Sequence, residues 1–213
     1  MPIEYEYRYR LVDNDKARLI QLAASESQVY LLTNRVYASA SGNYVRIRES
    51  KDVATGQTET ILTVKSNAGT FDEENEVNTC ATKSQDLDVV LRALGCTHQY
   101  TIQKLRTVVH VPGLGELDFD EAPGLPPFLE VEAQSMRKLN QLVKRLGLAG
   151  RNETFGISDL YFEQYGITKE NRNTNDDLLF SNPSNLQKNI TKNKTVFAKT
   201  LARQRKLIKS SRQ

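Results

Sequence analysis

Ile3, Tyr5, Tyr7, Tyr9 and Leu11 alternate with Glu4, Glu6, Arg8 and Arg10, and this period of two predicts a half-buried strand. Asp13 or Asn14 then caps a helix running to about Ser25, with Leu19, Ile20, Leu22 and Ala23 on its buried side. Strands are predicted at Gln28–Ser39, Tyr44–Glu49, Thr58–Lys65 and Phe71–Thr79, separated by the turn signals Ser41-Gly42-Asn43, Ala54-Thr55-Gly56 and Asn67-Ala68-Gly69. Leu87, Val90, Leu91 and Leu94 recur at helical spacing from Ser84 to a stop at Gly95. Tyr100–Val111, Glu116–Asp120 and Phe128–Ala133 read as three more strands. A helix closes the series at Ser135–Leu146, and a short one starts at Ser158. Short turns between strands favour an antiparallel sheet of the α+β class. About eight strands is the number that closes into a barrel around a small interior.

Composition changes the picture at one point. Hydrophobic residues at 38% and charged residues at 26% describe a soluble globular chain, and no apolar run is long enough to span a bilayer. The start of the sequence shows no apolar signal region, so a cytoplasmic protein is expected. Cys80 and Cys96 are too few for a disulfide framework and lack metal-ligand spacing. Residues 169–213, however, hold 11 basic and 3 acidic side chains, leaving 18 and 23 for the rest. The expected organisation is therefore a mildly acidic domain over residues 1–168 and a basic tail over 169–213. The tail reads as largely disordered, with a helix at 196–208. Its charge serves either a solvated extension or contact with nucleic acid or an acidic partner.

The polar faces of the strands are sorted by sign. Glu4 and Glu6 precede Arg8; Arg46 pairs with Arg48, Glu74 with Glu76, Lys104 with Arg106, Asp118 with Asp120 and Glu130 with Glu132, while Lys65 closes its strand. Residues at i and i+2 share a strand face. An ordinary wet sheet face would also alternate, but it usually mixes signs within a strand to make cross-strand pairs. Like charges side by side ask for something of opposite charge between them. A polyphosphate bridged to divalent cations meets both demands: carboxylates hold the metal, and guanidinium and ammonium groups hold phosphate oxygens.

In this order the residues resemble the CYTH proteins, also called triphosphate tunnel metalloenzymes. Glu4-x-Glu6-x-Arg8 resembles their ExExK signature, with Arg8 at the lysine position; arginine keeps the charge and can bind phosphate bidentately. Arg46-x-Arg48, Lys65, Glu74-x-Glu76, Lys104-x-Arg106, Asp118 and Glu130-x-Glu132 continue the match, and Leu160-Tyr161-Phe162 resembles the family's closing segment. The resemblance implies an eight-stranded antiparallel tunnel that binds a triphosphate with Mg²⁺ or Mn²⁺. It implies Glu4, Glu6, Asp118, Glu130 and Glu132 as metal ligands. Arg8, Arg46, Arg48, Lys65, Lys104 and Arg106 would hold the triphosphate, and catalysis would rest on Glu4, Glu6, Arg8, Glu130 and Glu132. Glu74, Glu76 and Asp120 are secondary candidates.

The expected activity is metal-dependent hydrolysis of a triphosphate compound, whether tripolyphosphate, thiamine triphosphate or a nucleoside triphosphate. Two alternatives stand beside it: a class IV adenylate cyclase forming cyclic AMP and pyrophosphate from ATP, and a non-catalytic nucleotide or polyphosphate binder. His98 and His110 show no ligand spacing, and Gly113-Leu114-Gly115 reads as a hairpin because no helix follows it.

Overall fold

The computed structural model describes residues 3–210 except 13, 24, 41, 71, 72, 82, 83 and 169–176; for residues 3, 4, 65–70, 73–81, 184 and 210 it describes the backbone alone. The strands are β1 (Ile3–Arg10), β2 (Ser27–Ala38), β3 (Tyr44–Asp52), β4 (Thr58–Thr70), β5 (Glu73–Ala81), β6 (Thr97–Val111), β7 (Gly115–Glu121) and β8 (Phe128–Ala133). The helices are α1 (Asp15–Ala23), α2 (Ser84–Ala93), α3 (Met136–Arg145), α4 (Ile157–Tyr165), α5 (Ser184–Asn189) and α6 (Lys194–Ser210). Class and sheet type are as expected: α+β, with antiparallel pairing between the named strands. Neighbours follow the order β1-β5-β4-β3-β2-β6-β7-β8. β1 joins β8 over six residue pairs, from Tyr5↔Ala133 to Arg10↔Phe128. Its other edge meets β5 at Ile3↔Asn75 and Glu4↔Glu74.

The strand period of two decides where the core sits. Tyr9, Val109, Leu117, Phe119, Leu129 and Val131 turn outward from the charged face and pack against Leu19 of α1 and Leu139 and Leu142 of α3. Fully burying each such aliphatic side chain is worth about 1.5–3 kcal/mol. α3 is anchored at its start by Ser135, whose side chain accepts from Lys138 N–H, and Lys144 and Arg145 complement the dipole at its end. On the far side α2 seats Leu91 on Tyr37, Val45 and Ile47. α1, α2 and α3 thus cover the apolar face and leave the polar face of the strands turned away from them.

The expectation of a largely disordered tail is corrected over residues 177–210. Leu178, Phe180, Leu186, Ile190, Phe197 and Leu201 are sparse along the chain, yet all converge on one cluster with Ala122, Leu125, Tyr161 and Tyr165. A buried amide reinforces it: Gln204 donates to the carbonyls of Ala122 and Leu125 at 3.1 and 3.0 Å and accepts from Gly124 N–H at 2.8 Å. The helix expected at 196–208 lies inside α6. No helix among the described residues is long and apolar enough to cross a membrane.

Candidate active site

Backbone register carries the charged residues to one face, because cross-strand partners point the same way. Glu6, Glu132 and Glu116 form one row across β1, β8 and β7; Arg8, Glu130 and Asp118 form the next; Arg10, Phe128 and Asp120 form a third. Asp120 is opposite Arg106 on β6. Across β2, Val36 joins Tyr100 to Arg46, and Asn34 joins Ile102 to Arg48. Lys65 is opposite Tyr44 and Glu76, and Glu4 is opposite Glu74. Glu4, Lys65, Glu74 and Glu76 are placed by register alone, since their side chains lie outside the described residues.

The acidic side of this face converges. Glu6, Glu130 and Glu132 each offer a carboxylate oxygen, all within 4.8 Å of one another. Asp118 is 2% exposed, and among the described residues its Oδ1 has no hydrogen-bond partner. Burial pushes the Asp118 carboxyl up; Arg106 opposes the shift, while Asp120, Glu116 and Glu130 add to it. Three converging hard oxygens and an orphaned buried fourth fit a divalent cation such as Mg²⁺ or Mn²⁺.

Two arginines are held among these acids. Arg106, 8% exposed, donates from Nε and Nη2 to the two oxygens of Asp120 at 2.7 and 2.8 Å. It also donates from Nη2 to Glu130 at 2.7 Å and from Nη1 to Asp118. Lys104 completes the cage with Nζ 2.7 Å from Asp120. Burial alone would raise the Asp120 carboxyl, but Arg106 and Lys104 overcome it and hold the group well below the usual carboxylate range. Arg8 lies between Glu6 and Glu130, its Nε 2.6 and 3.1 Å from them, and donates from Nη1 to the carbonyl of Phe155 at 3.3 Å.

Arg46 and Arg48 stand on strand β3. Arg48 donates to the neutral Asn34 at 3.0 Å, and Arg46 to the hydroxyl of Thr63 at 3.1 Å. Burial, together with the like charges of Arg46 and Arg106, brings the Arg48 guanidinium down to about 10. It remains a cation at neutral pH, but one in need of an anion. A cavity of about 300 Å³ opens between these groups, lined by Arg8, Arg46, Arg48, Lys104 and Glu130 together with an apolar wall.

Sequence reasoning missed part of the lining. Asn34, Tyr44, Tyr100, Phe128 and Phe155 also face the cavity. Tyr44, Tyr100 and Phe128 were recoverable: they stand on strands already read, in the parity of the charged positions. Phe155, on a segment outside the predicted elements, was not. Arg10 reaches Glu153 and Glu163 and lies 4.5 Å over the Phe155 ring, fixing the segment before α4 against β1. His98 packs edge-on against Tyr37, and the exposed His110 sits 3.1 Å from its cross-strand partner Glu116.

Known proteins give a consistent picture of the fold. The family model for the CYTH domain matches residues 2–151, ending before α4. No curated protein sequence matches the chain. The PH1012 protein of Pyrococcus horikoshii is 16% identical with a TM-score of 0.61, over 74% of this chain and 98% of that one. A protein from Pyrococcus furiosus is 20% identical with a TM-score of 0.60, over 74% and 99%. A Vibrio parahaemolyticus protein described as a candidate adenylate cyclase is 18% identical with a TM-score of 0.58, over 74% and 97%. At such identities the likeness is one of fold.

Proposed function

Since the chain belongs to the CYTH domain family, we propose that it catalyses metal-dependent hydrolysis of a triphosphate compound inside its sheet, closed as an eight-stranded tunnel. The tunnel reading is supported by β1, which pairs with β8 on one edge and β5 on the other. The observation that carries the function is the division of a single cavity into acid and base. Glu130, one of three carboxylates converging within 4.8 Å, shares the lining with Arg46, Arg48 and Lys104.

In this reading Glu6, Glu130 and Glu132, with Asp118 and Glu4, would hold Mg²⁺ or Mn²⁺, which would supply charge neutralisation and make a water more acidic. Arg46 and Arg48 bind non-bridging phosphate oxygens, Arg48 gaining the anionic partner that Asn34 cannot provide. Lys104 adds a third cation at the same wall, and Lys65 a fourth by register. Arg106 acts differently from the other bases: its hydrogen bonds to Asp118, Asp120 and Glu130 set the orientation of those carboxylates. Arg8 bridges the two halves: it pairs with Glu6 and Glu130 and also lines the cavity, where its guanidinium would offer donors to a phosphate oxygen. Positioning and electrostatic stabilisation then supply most of the rate enhancement.

The test is to incubate the protein with Mg²⁺ or Mn²⁺ and, separately, tripolyphosphate, thiamine triphosphate and ATP, and to identify the products. Orthophosphate is the expected product. Cyclic AMP with pyrophosphate would replace this reading with a cyclase, and tight binding without any product would replace it with a binder.

A further inference from the structure

We infer that the physiological substrate carries a flat heteroaromatic group on its triphosphate, and that this group stacks on Tyr44 at the edge of the cavity. The inference rests on the triphosphate reading above and narrows it: a bare tripolyphosphate is excluded as the preferred substrate.

The cavity wall is chemically double. Beside the cations stand Tyr44, Tyr100, Ile102, Phe128, Phe155 and Ile157. Two of these rings are accounted for within the protein. Phe128 lies 5.5 Å under Lys104 Nζ, Phe155 lies under Arg10, and the two pack edge to face at 5.7 Å. Both are buried and hold the wall in place. Tyr44 is not explained in this way. Its side chain points to the same face as Arg46, two residues on, and the residue is 37% exposed. Among the described residues it has no ring contact, no cation contact and no hydrogen-bond partner. A large ring left in water at the lip of a polyanion site gains nothing from an inorganic ligand. It gains from a second π-face.

Placement favours the same answer. The arginines occupy the interior of β3, and Tyr44 is at the end of the strand where it meets the turn, opposite Lys65. Phosphates held by Arg46 and Arg48 would thus leave the organic end of a monoester next to Tyr44. A cavity of about 300 Å³ is at the lower end of small-molecule sites, which suits a phosphate chain inside with one ring at the mouth. Nucleoside and thiamine triphosphates share this chemistry, a planar heteroaromatic ring beyond the phosphate chain.

The experiment compares kcat/KM for ATP, thiamine triphosphate and tripolyphosphate in the wild type, Tyr44→Ala and Tyr44→Phe, with Mg²⁺ or Mn²⁺ present. The wild type is expected to prefer one aromatic triphosphate over tripolyphosphate, and the two organic arms identify the source. Base–aromatic stacking is strong enough that Tyr44→Ala should lower that preference about tenfold. Tyr44→Phe should retain it, because the ring and not the hydroxyl is used. Wild-type preference for tripolyphosphate overturns the inference, as does an equal loss on every substrate in Tyr44→Ala. Calorimetric binding, measured in parallel, separates the two levels. If tripolyphosphate binds and neither organic triphosphate binds more tightly, this inference alone falls. If none of the three binds, the triphosphate reading falls and takes the inference with it.

Discussion

Arg106 and Asp120 face each other in a two-point hydrogen-bonded pair, Nε to Oδ1 at 2.7 Å and Nη2 to Oδ2 at 2.8 Å, with Asp120 wholly buried. The pair anchors the acidic wall, because the same guanidinium holds Asp118 and Glu130. Removing one partner of a buried pair leaves an uncompensated charge. Asp120→Asn should therefore lower unfolding free energy by about 3–5 kcal/mol, measured by urea denaturation at neutral pH.

The same variant makes a prediction about pH. The folded Asp120 carboxyl titrates below its unfolded value, so its contribution is complete above the unfolded pKa of about 3.9 and is lost as pH falls towards the folded one. The part of the stability gap between wild type and Asp120→Asn that comes from this ionisation should shrink as pH falls from about 5 to below about 4. Denaturation curves across that range check the sign; a gap that widens in acid would contradict it.

Glu130 touches both arginines and offers an oxygen to the converging carboxylates. Glu130→Gln should cut activity about 10- to 100-fold or more and shift the Mg²⁺ activation curve to higher concentration. Titrating the metal at fixed substrate separates this from a loss confined to substrate binding.

Arg48 should behave in the opposite way in stability and function. It is half-buried beside Arg46 with one neutral hydrogen-bond partner among the described residues, so its presence costs the ligand-free fold. Arg48→Met should leave the free protein as stable or up to about 1–2 kcal/mol more stable. It should also abolish most of the thermal stabilisation that tripolyphosphate gives the wild type. Melting curves with and without ligand report both effects.

The C-terminal clamp is testable at Gly124. Its φ is +78°, and an added Cβ would meet the Phe197 ring, with Cζ at 2.9 Å. Gly124→Ala should destabilise the protein and loosen α6 from the turn, which limited proteolysis would show as earlier cleavage within 177–210.

Much of this was legible because strands expose their parity. β8 was expected at Phe128–Ala133 and lies there, and β3 and β4 begin at the expected Tyr44 and Thr58. Once parity is known, shared-face membership of Glu6, Arg8, Arg46, Arg48, Lys104, Arg106, Asp118, Glu130 and Glu132 follows from counting by two. The partner each charge chooses does not. Lys104-x-Arg106 reads like Arg46-x-Arg48, yet the first pair adjoins β7 with its aspartates and the second adjoins Asn34 and Thr63. That difference is set by strand order, which period-two patterns leave open. The tail was misread for a related reason: six apolar residues spread over 24 positions have low local density. Their burial depends on Tyr161, Tyr165 and Leu125, which are distant in sequence.

The pairing of β1 with β8 also constrains how the protein can be made. Arg8 lies 122 residues ahead of Glu130, so β1 emerges from the ribosome long before its partner exists. At about 5–20 residues per second, that strand waits roughly 6–24 seconds with an open edge. During the wait Tyr5, Tyr7 and Tyr9 have no β8 beside them, and the nascent chain is exposed to misassembly and to chaperone capture. The site is therefore a late product of synthesis, and translation pauses placed before β8 would be expected to lower the yield of soluble protein.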